Sequence, residues 1–189
     1  MKLSSLQCGR FYRLYDALLA FAVPRIDELG LEPGVEDPDD GLAVVDITRR
    51  LWGSPRIIDA FIEENPDDLS AQDLETVSCW KAALFGIYHM VLMPYHESFF
   101  IKEGNVYSVC GLDVQVDEMF EGGDQALVFT TLLPYEDSIV YAGELFPTGV
   151  PVYSALRSEA FDEISTKKAE GKVFSTAHDF IAASNELCA

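Results

Sequence analysis

Apolar residues recur at helical spacing up to Gly86 and at strand spacing beyond it, and that change of period constrains the fold more than any other feature. Phe11, Leu14, Tyr15, Leu18, Leu19, Ala22, Ile26 and Leu29 lie three, four or seven apart, with Arg10, Arg13, Asp16 and Asp27 off the stripe. They predict a first helix, kinked or split at residues 20–23 by Pro24, which has no amide hydrogen to donate, and stopped at Gly30. Residues 31–41 read as an acidic loop with two prolines and two glycines. Val44, Ile47 and Leu51 predict a second helix. Ser54 and Pro55 start a third, with Ile57, Ile58, Phe61 and Ile62 inward and an end at Asn65-Pro66. Ser70 with Asp73 forms a short capping box for a fourth, whose inward stripe is Leu74, Val77, Trp80 (or the stem of Lys81) and Leu84.

From residue 87 the pattern is that of strands. Ile87–Met93 and Ser98–Lys102 flank the turn-prone Pro94-Tyr95-His96-Glu97, and Glu103-Gly104-Asn105 turns into Val106–Cys110. Asp113–Phe120 reads as a short helix with an acidic start, Gly122-Gly123-Asp124 as a loop. Ala126–Leu133 is rich in Val, Phe and Thr, and Pro134-Tyr135-Glu136-Asp137 returns it into Ser138–Ala142. Short connections between about five strands imply an antiparallel sheet. Residues 154–170 return to helix, with Leu156, Ala160 or Phe161, and Ile164 inward, and with Lys167 and Lys168 at the negative end before Gly171. A last short helix is expected over Ala177–Leu187. The expectation is one α+β domain: a helical half (1–86) packed on an antiparallel sheet (87–146), a C-terminal helix (154–170) and a tail (171–189).

Charge narrows the partners. The chain of 189 residues carries a formal net charge of −19, and residues 95–153 hold one lysine, Lys102, against ten carboxylates. Such a surface repels phosphate backbones, so direct nucleic-acid binding is not expected, whereas a basic or amphipathic protein partner is. The same charge also simply keeps a protein in solution. No apolar run reaches the length of a membrane span. Lys2, Arg10 and Arg13 precede the apolar run 17–23 as in a signal peptide, yet Asp16 abuts that run and no A-x-A-like cleavage site follows before Pro24. Cys8, Cys79, Cys110 and Cys188 are widely spaced, with no C-x-x-C pair, and suit a reducing, cytoplasmic setting.

Chemistry-bearing constellations are few. His89, His96 and Glu97 are the one compact set with metal-ligand character, although their spacing is looser than zinc sites favour, and no cofactor is expected. Cys79 beside Trp80 lacks the electropositive surroundings of a reactive thiolate. The pairs Glu63/Glu64, Asp67/Asp68, Asp117/Glu118 and Glu136/Asp137 read as solvated charges at helix ends and turns. His178 adjoins Asp179 in the tail, but there is no G-x-S-x-G elbow, and both phosphate-binding glycine motifs are absent. Trp52 and Trp80 follow apolar helical stripes and read as core.

One longer pattern is specific. It comprises Leu51, Trp52, Pro55, Ile58, Asp59, the run from Phe61 to Pro66, Leu69, Ser70, Leu74, Val77, Trp80 and Lys81. It continues with Val106, Tyr107, Val109, Gly111 and Leu112, then Glu118, Met119 and Phe120, then Leu132, Leu133 and Pro134, then Ile139, Val140, Tyr141 and Gly143. With Phe11, Tyr12 and Leu14 at the start, the stretch 10–170 resembles an uncharacterised bacterial family. Its members are stand-alone proteins, or parts of longer ones that carry a SEC-C motif or are of the plasmid pRiA4b ORF-3-like type. The resemblance implies a shared fold and no particular activity. The cysteine-rich metal motif of SEC-C is missing, so zinc binding does not carry over. Two functions are expected from the residues. The first is a non-enzymatic interaction or regulatory module with an acidic sheet surface. The second is a ligand-binding protein or enzyme with a pocket where helices meet sheet, near Tyr88, His89, His96 and Tyr107.

Overall fold

A computed structural model describes residues 1–25, 41–120 and 123–187. Helix α1 (Ser5–Ala22) starts at a capping box: the Ser4 hydroxyl oxygen accepts from the Gln7 amide, and the Gln7 side chain accepts from the Ser4 amide. Phe11, Leu14, Tyr15, Leu18 and Phe21 form its buried stripe. At Pro24 the chain tightens into a 3₁₀ turn, Val23–Arg25, where the Arg25 guanidinium lies 3.5 Å over the Phe21 ring and pairs with Glu64. The expected continuation through Ile26 and Leu29, the stop at Gly30 and residues 31–40 of the acidic loop lie outside the described residues, as do Gly122 and Cys188.

Helix α2 (Gly41–Trp52) is followed by α3 (Pro55–Glu64), with Pro55 at its first position and Asn65 left-handed at its end. Helix α4 (Ala71–Cys79) has the expected Ser70 cap, and Asp73 ties that cap to α1 through Arg10 (2.8 Å) and Arg13 (2.9 Å). Burial works to raise the Asp73 pKa. Hydrogen bonds from Arg13, Arg10 and Ser70, with the Arg13 charge, outweigh it and hold the carboxyl well below its usual range.

The helix expected to run to Gly86 ends at Cys79, with one 3₁₀ turn (Trp80–Ala82) before strand β1 (Leu84–Met93). Gly86 is therefore inside a strand. A Cβ there would stand 2.7 Å from the Lys102 ammonium, which donates to the Phe85 carbonyl, so the glycine marks a close approach rather than a stop. Strands β2 (Glu97–Lys102), β3 (Asn105–Cys110), β4 (Gln125–Tyr135) and β5 (Ser138–Tyr141) follow, then the two-residue β6 (Phe146–Pro147). Helix α5 (Ser154–Ala169), the short β7 (Val173–Phe174) and α6 (Ala177–Leu187) complete the chain. The residues expected to form a helix over 113–120 make a single 3₁₀ turn, Val116–Met119.

The sheet corrects the antiparallel expectation. Its order is β1-β2-β3-β5-β4, and β4 also pairs with β1 from Leu84↔Leu132 to Val91↔Gln125, so the sheet closes. Strand β3 runs parallel to β5 and to β7, while the remaining pairs are antiparallel. The cause is the connection 111–124. It crosses one end of the sheet instead of turning back, which sets β4 beside β1 and leaves its hairpin partner β5 beside β3. This is the Greek-key connectivity of an OB-type barrel, and connectivity alone carries no function.

Residues that pair across strands share a face. Tyr88 with Val128, Met90 with Phe100, Phe100 with Tyr107, and Leu132 with Tyr141 fill the barrel interior, all buried. Their neighbours point outward. Leu133, Tyr135 and Val140 lie under the helical half, where Tyr135 meets Phe11 edge to face and donates its hydroxyl to the Gln7 carbonyl at 2.8 Å. The N-terminal helices thus pack on the sheet as expected, and a helix follows it.

Candidate functional site

Strand β1 sends Phe85, Ile87, His89 and Val91 outward, because alternate residues share a face. One end of this row is covered and the other is open. Val91 packs with Phe99, Ile101 and Val106 under Ala160 and Ile164 of α5, in a small core separate from the main one. Ile87, paired with Phe129, remains 48% exposed. Phe85, Leu127 and Phe129 are half-buried beside it, and Phe146 on β6 pairs with Phe129. An apolar ladder of five side chains therefore faces outward on β1, β4 and β6.

A small recess borders this ladder, lined by Thr48, Phe85, Phe129, Thr130, Thr131, Ala142, Glu144 and Phe146. The recess is partly open, and its volume of about 10 Å³ is room for roughly one water. Burial raises the pKa of Glu144. The nearby Tyr15 is buried with no hydrogen-bond partner for its hydroxyl among the described residues, and desolvation, then the charge of Glu144, push its pKa far up. Proton-transfer roles for that phenol at neutral pH are thereby disfavoured.

The other outward face carries α5. Its stripe is Arg157, Ala160, Phe161, Ile164 and Lys168, at spacings of three, four and seven. Arg157 pairs with Asp124 (2.8 Å), and Lys168 pairs with Glu97 (2.8 Å) and lies 4.6 Å over the Phe99 ring. Leu156, expected inward, is 39% exposed. Ala160 and Ile164 are buried as expected, and the departure is confined to the first turn, where Arg157 rather than Leu156 faces the sheet. Full burial of one isoleucine is worth about 1.5–3 kcal/mol, and an exposed ion pair up to about 1 kcal/mol. The seat of α5 buries Val91, Phe99, Ile101, Val106 and Ile164 together, so its gross burial is several times that of a single core side chain, offset by the entropy of ordering the helix.

His89, His96 and Glu97 each take a different partner. His89 Nε2 meets Gln125 Oε1 at 2.8 Å, His96 Nδ1 meets Asp117 Oδ2 at 2.7 Å, and Glu97 binds Lys168. Met93 is the residue opposite Glu97, which places His89 four strand residues away, about 13 Å. Among the described residues no group of three His, Cys, Asp or Glu is arranged to hold a metal. Tyr88 and Tyr107 are inside the barrel, and the Tyr88 hydroxyl donates to the Leu84 carbonyl. Cys79 opens onto a groove with Arg10, Glu75 and His178, and burial, then Glu75, raise its thiol. The carboxylate pairs are divided among separate partners: Glu64 with Arg25, Asp117 with His96, Glu136 with Arg10. Trp52 and Trp80 pack edge to face in the core at 6.3 Å, as expected, although neither indole N–H has a partner.

The sequence reading missed Ile87, Phe129, Phe146, Thr48 and Glu144. The available signal was that β1 and β4 are apolar on both faces, which a two-layer reading leaves unexplained. No family model, curated protein or solved structure matches the chain.

Proposed function

We propose that the chain is a non-catalytic interaction module whose open β1–β4–β6 face docks a basic, amphipathic segment of a protein partner. The observation that carries this reading is Ile87, 48% exposed at the centre of an apolar outward ladder. Exposed contiguous apolar surface on a barrel is a recognition feature. The formal net charge of −19 favours a basic rim on the partner, and Glu144 is the carboxylate that borders this face. Nucleic acid is a poorer fit. The β2–β3 outer face that OB-type barrels offer to oligonucleotides is under α5, and the overall charge is repulsive. A small-ligand reading centred on Glu144 has the polar groups but room for only about one water.

The test uses two synthetic amphipathic peptides about four turns long, one of Leu and Lys and one of Leu and Glu, followed by fluorescence anisotropy. The Leu/Lys peptide is expected to bind, to weaken as salt rises, and to lose about tenfold in affinity on Ile87→Lys. Equal binding of both peptides, or no effect of Ile87→Lys, overturns the reading.

A further inference from the structure

Helix α5 is an unusual cover. It lacks a side-chain cap at Tyr153, two of its serines (Ser158 and Ser165) bond back to carbonyls of the preceding turn, and most of its surface is polar. It is bounded by Gly149 and Gly171, both at positive φ, where an added Cβ would meet nothing within 4 Å. Its small core with Val91, Phe99, Ile101 and Val106 is separate from the main core, so lifting α5 leaves the barrel interior intact.

The fit is also incomplete at one end. Arg157 reaches Asp124 with one nitrogen and its carbonyl accepts from Gln125 Nε2, yet among the described residues its buried Nε has no partner, nor has the buried Asp117 Oδ1 in the same depression. A donor and an acceptor left unpaired in one depression mark a seat that its own helix does not satisfy. The opposite end offers Glu97, taken by Lys168. The surface thus presents acidic groups at both ends of an apolar strip, and α5 answers with two cations eleven residues apart, three helical turns.

We propose that the β1–β2–β3 outer face is a second docking surface, for a basic amphipathic helix of a partner protein, and that α5 is its built-in placeholder. The partner would carry cations three turns apart around small and aliphatic residues. It would also make the bond to Asp117 Oδ1 that Arg157 of α5 leaves unmade. Displacement proceeds from a minor state in which α5 is lifted, so the partner's apparent affinity falls with the population of that state.

The probe is a fluorescein-labelled synthetic peptide of residues 151–170, titrated into the full-length protein and into its Ile164→Asp variant, which unseats its own helix. The peptide is expected to bind the variant at least about tenfold tighter than the unsubstituted protein. A peptide carrying Arg157→Glu and Lys168→Glu should lose a similar factor, and Ile87→Lys in the protein should change nothing, which separates this surface from the open face. Equal affinity for the two proteins, or undiminished binding of the charge-reversed peptide, overturns the proposal. Should Ile164→Asp fail to fold, hydrogen exchange of the unsubstituted protein decides. Amides of α5 must exchange well before those of β2; equal protection rules the placeholder out.

Discussion

The two outward faces of β1 come from one strand and one alternation, yet they ended in different states. Val91 is fully buried beneath α5 and Ile87 is half exposed, four residues apart on the same row. Side-chain chemistry does not distinguish them, since both are β-branched and flanked by phenylalanines on the neighbouring strand. What differs is whether a later segment returns to cover them. The covered face has its own small core and two ion pairs; the open face has an apolar ladder and a half-buried carboxyl at its edge. Coverage in this molecule is a property of the chain's return path and not of the strand.

The largest test of that comparison uses adjacent residues. Phe99 and Phe100 are 1% and 0% exposed, yet Phe99 faces α5 and Phe100 faces the barrel interior. Phe100→Ala should cost about 3–5 kcal/mol, because a closed barrel cannot collapse around the lost ring. Phe99→Ala should cost less, about 2 kcal/mol, because α5 can settle into the space the ring leaves. Urea unfolding measures both. Equal costs would mean that α5 is as integral as the interior.

Much of this architecture was legible, and the remainder was not for a common reason. The cap at Ser70, the proline at the first position of α3, the change of period, and the last helix at Ala177–Leu187 are written in neighbours within four residues, although Ser54 makes no capping bond. Closure is not. It depends on Leu84 meeting Leu132, and on β3 meeting β5 in parallel, pairings that no local pattern encodes. Gly86 misled because a glycine at a close approach and a glycine at a helix end look alike in sequence. The recess draws Thr48 and Glu144 together from distant segments, so its polar groups had no shared motif. The ligand-like set His89, His96 and Glu97 was compact in sequence, but the hairpin register spreads it along the strand.

Acid and base act on the two faces in opposite directions, through His89 beside α5 and Glu144 at the edge of the open face. Burial holds His89 below its usual 6.5, with the Gln125 bond opposing, so the folded state favours neutral imidazole. Its contribution to stability is whole above 6.5 and is lost as pH falls through the depressed folded value. Glu144, raised above 4.5 by burial, favours its neutral form; its contribution is whole below 4.5 and is lost as pH rises through the raised value. Glu144→Gln should therefore raise the urea midpoint at neutral pH and leave it unchanged in acid. The effect should stay under about 1 kcal/mol, because both groups are only half-buried. A midpoint that does not move at neutral pH would mean the carboxyl is solvated.

The smallest expected effect is the one that separates the faces most cleanly. Ile87→Lys removes an apolar side chain that the isolated fold hardly uses, so stability should stay within about 0.5 kcal/mol of the unsubstituted protein. Exchange at α5 should also be unaffected, since Ile87 lies four strand residues, about 13 Å, from Val91 in the small core. A loss near the cost of Phe99→Ala would mean that Ile87 already packs on something in the folded chain, and the open face would then be closed like its neighbour. A neutral result has the opposite meaning. An isoleucine that the fold can exchange for lysine without cost, at the centre of an aromatic ladder, has its reason outside the chain, and only a partner's affinity should register the change.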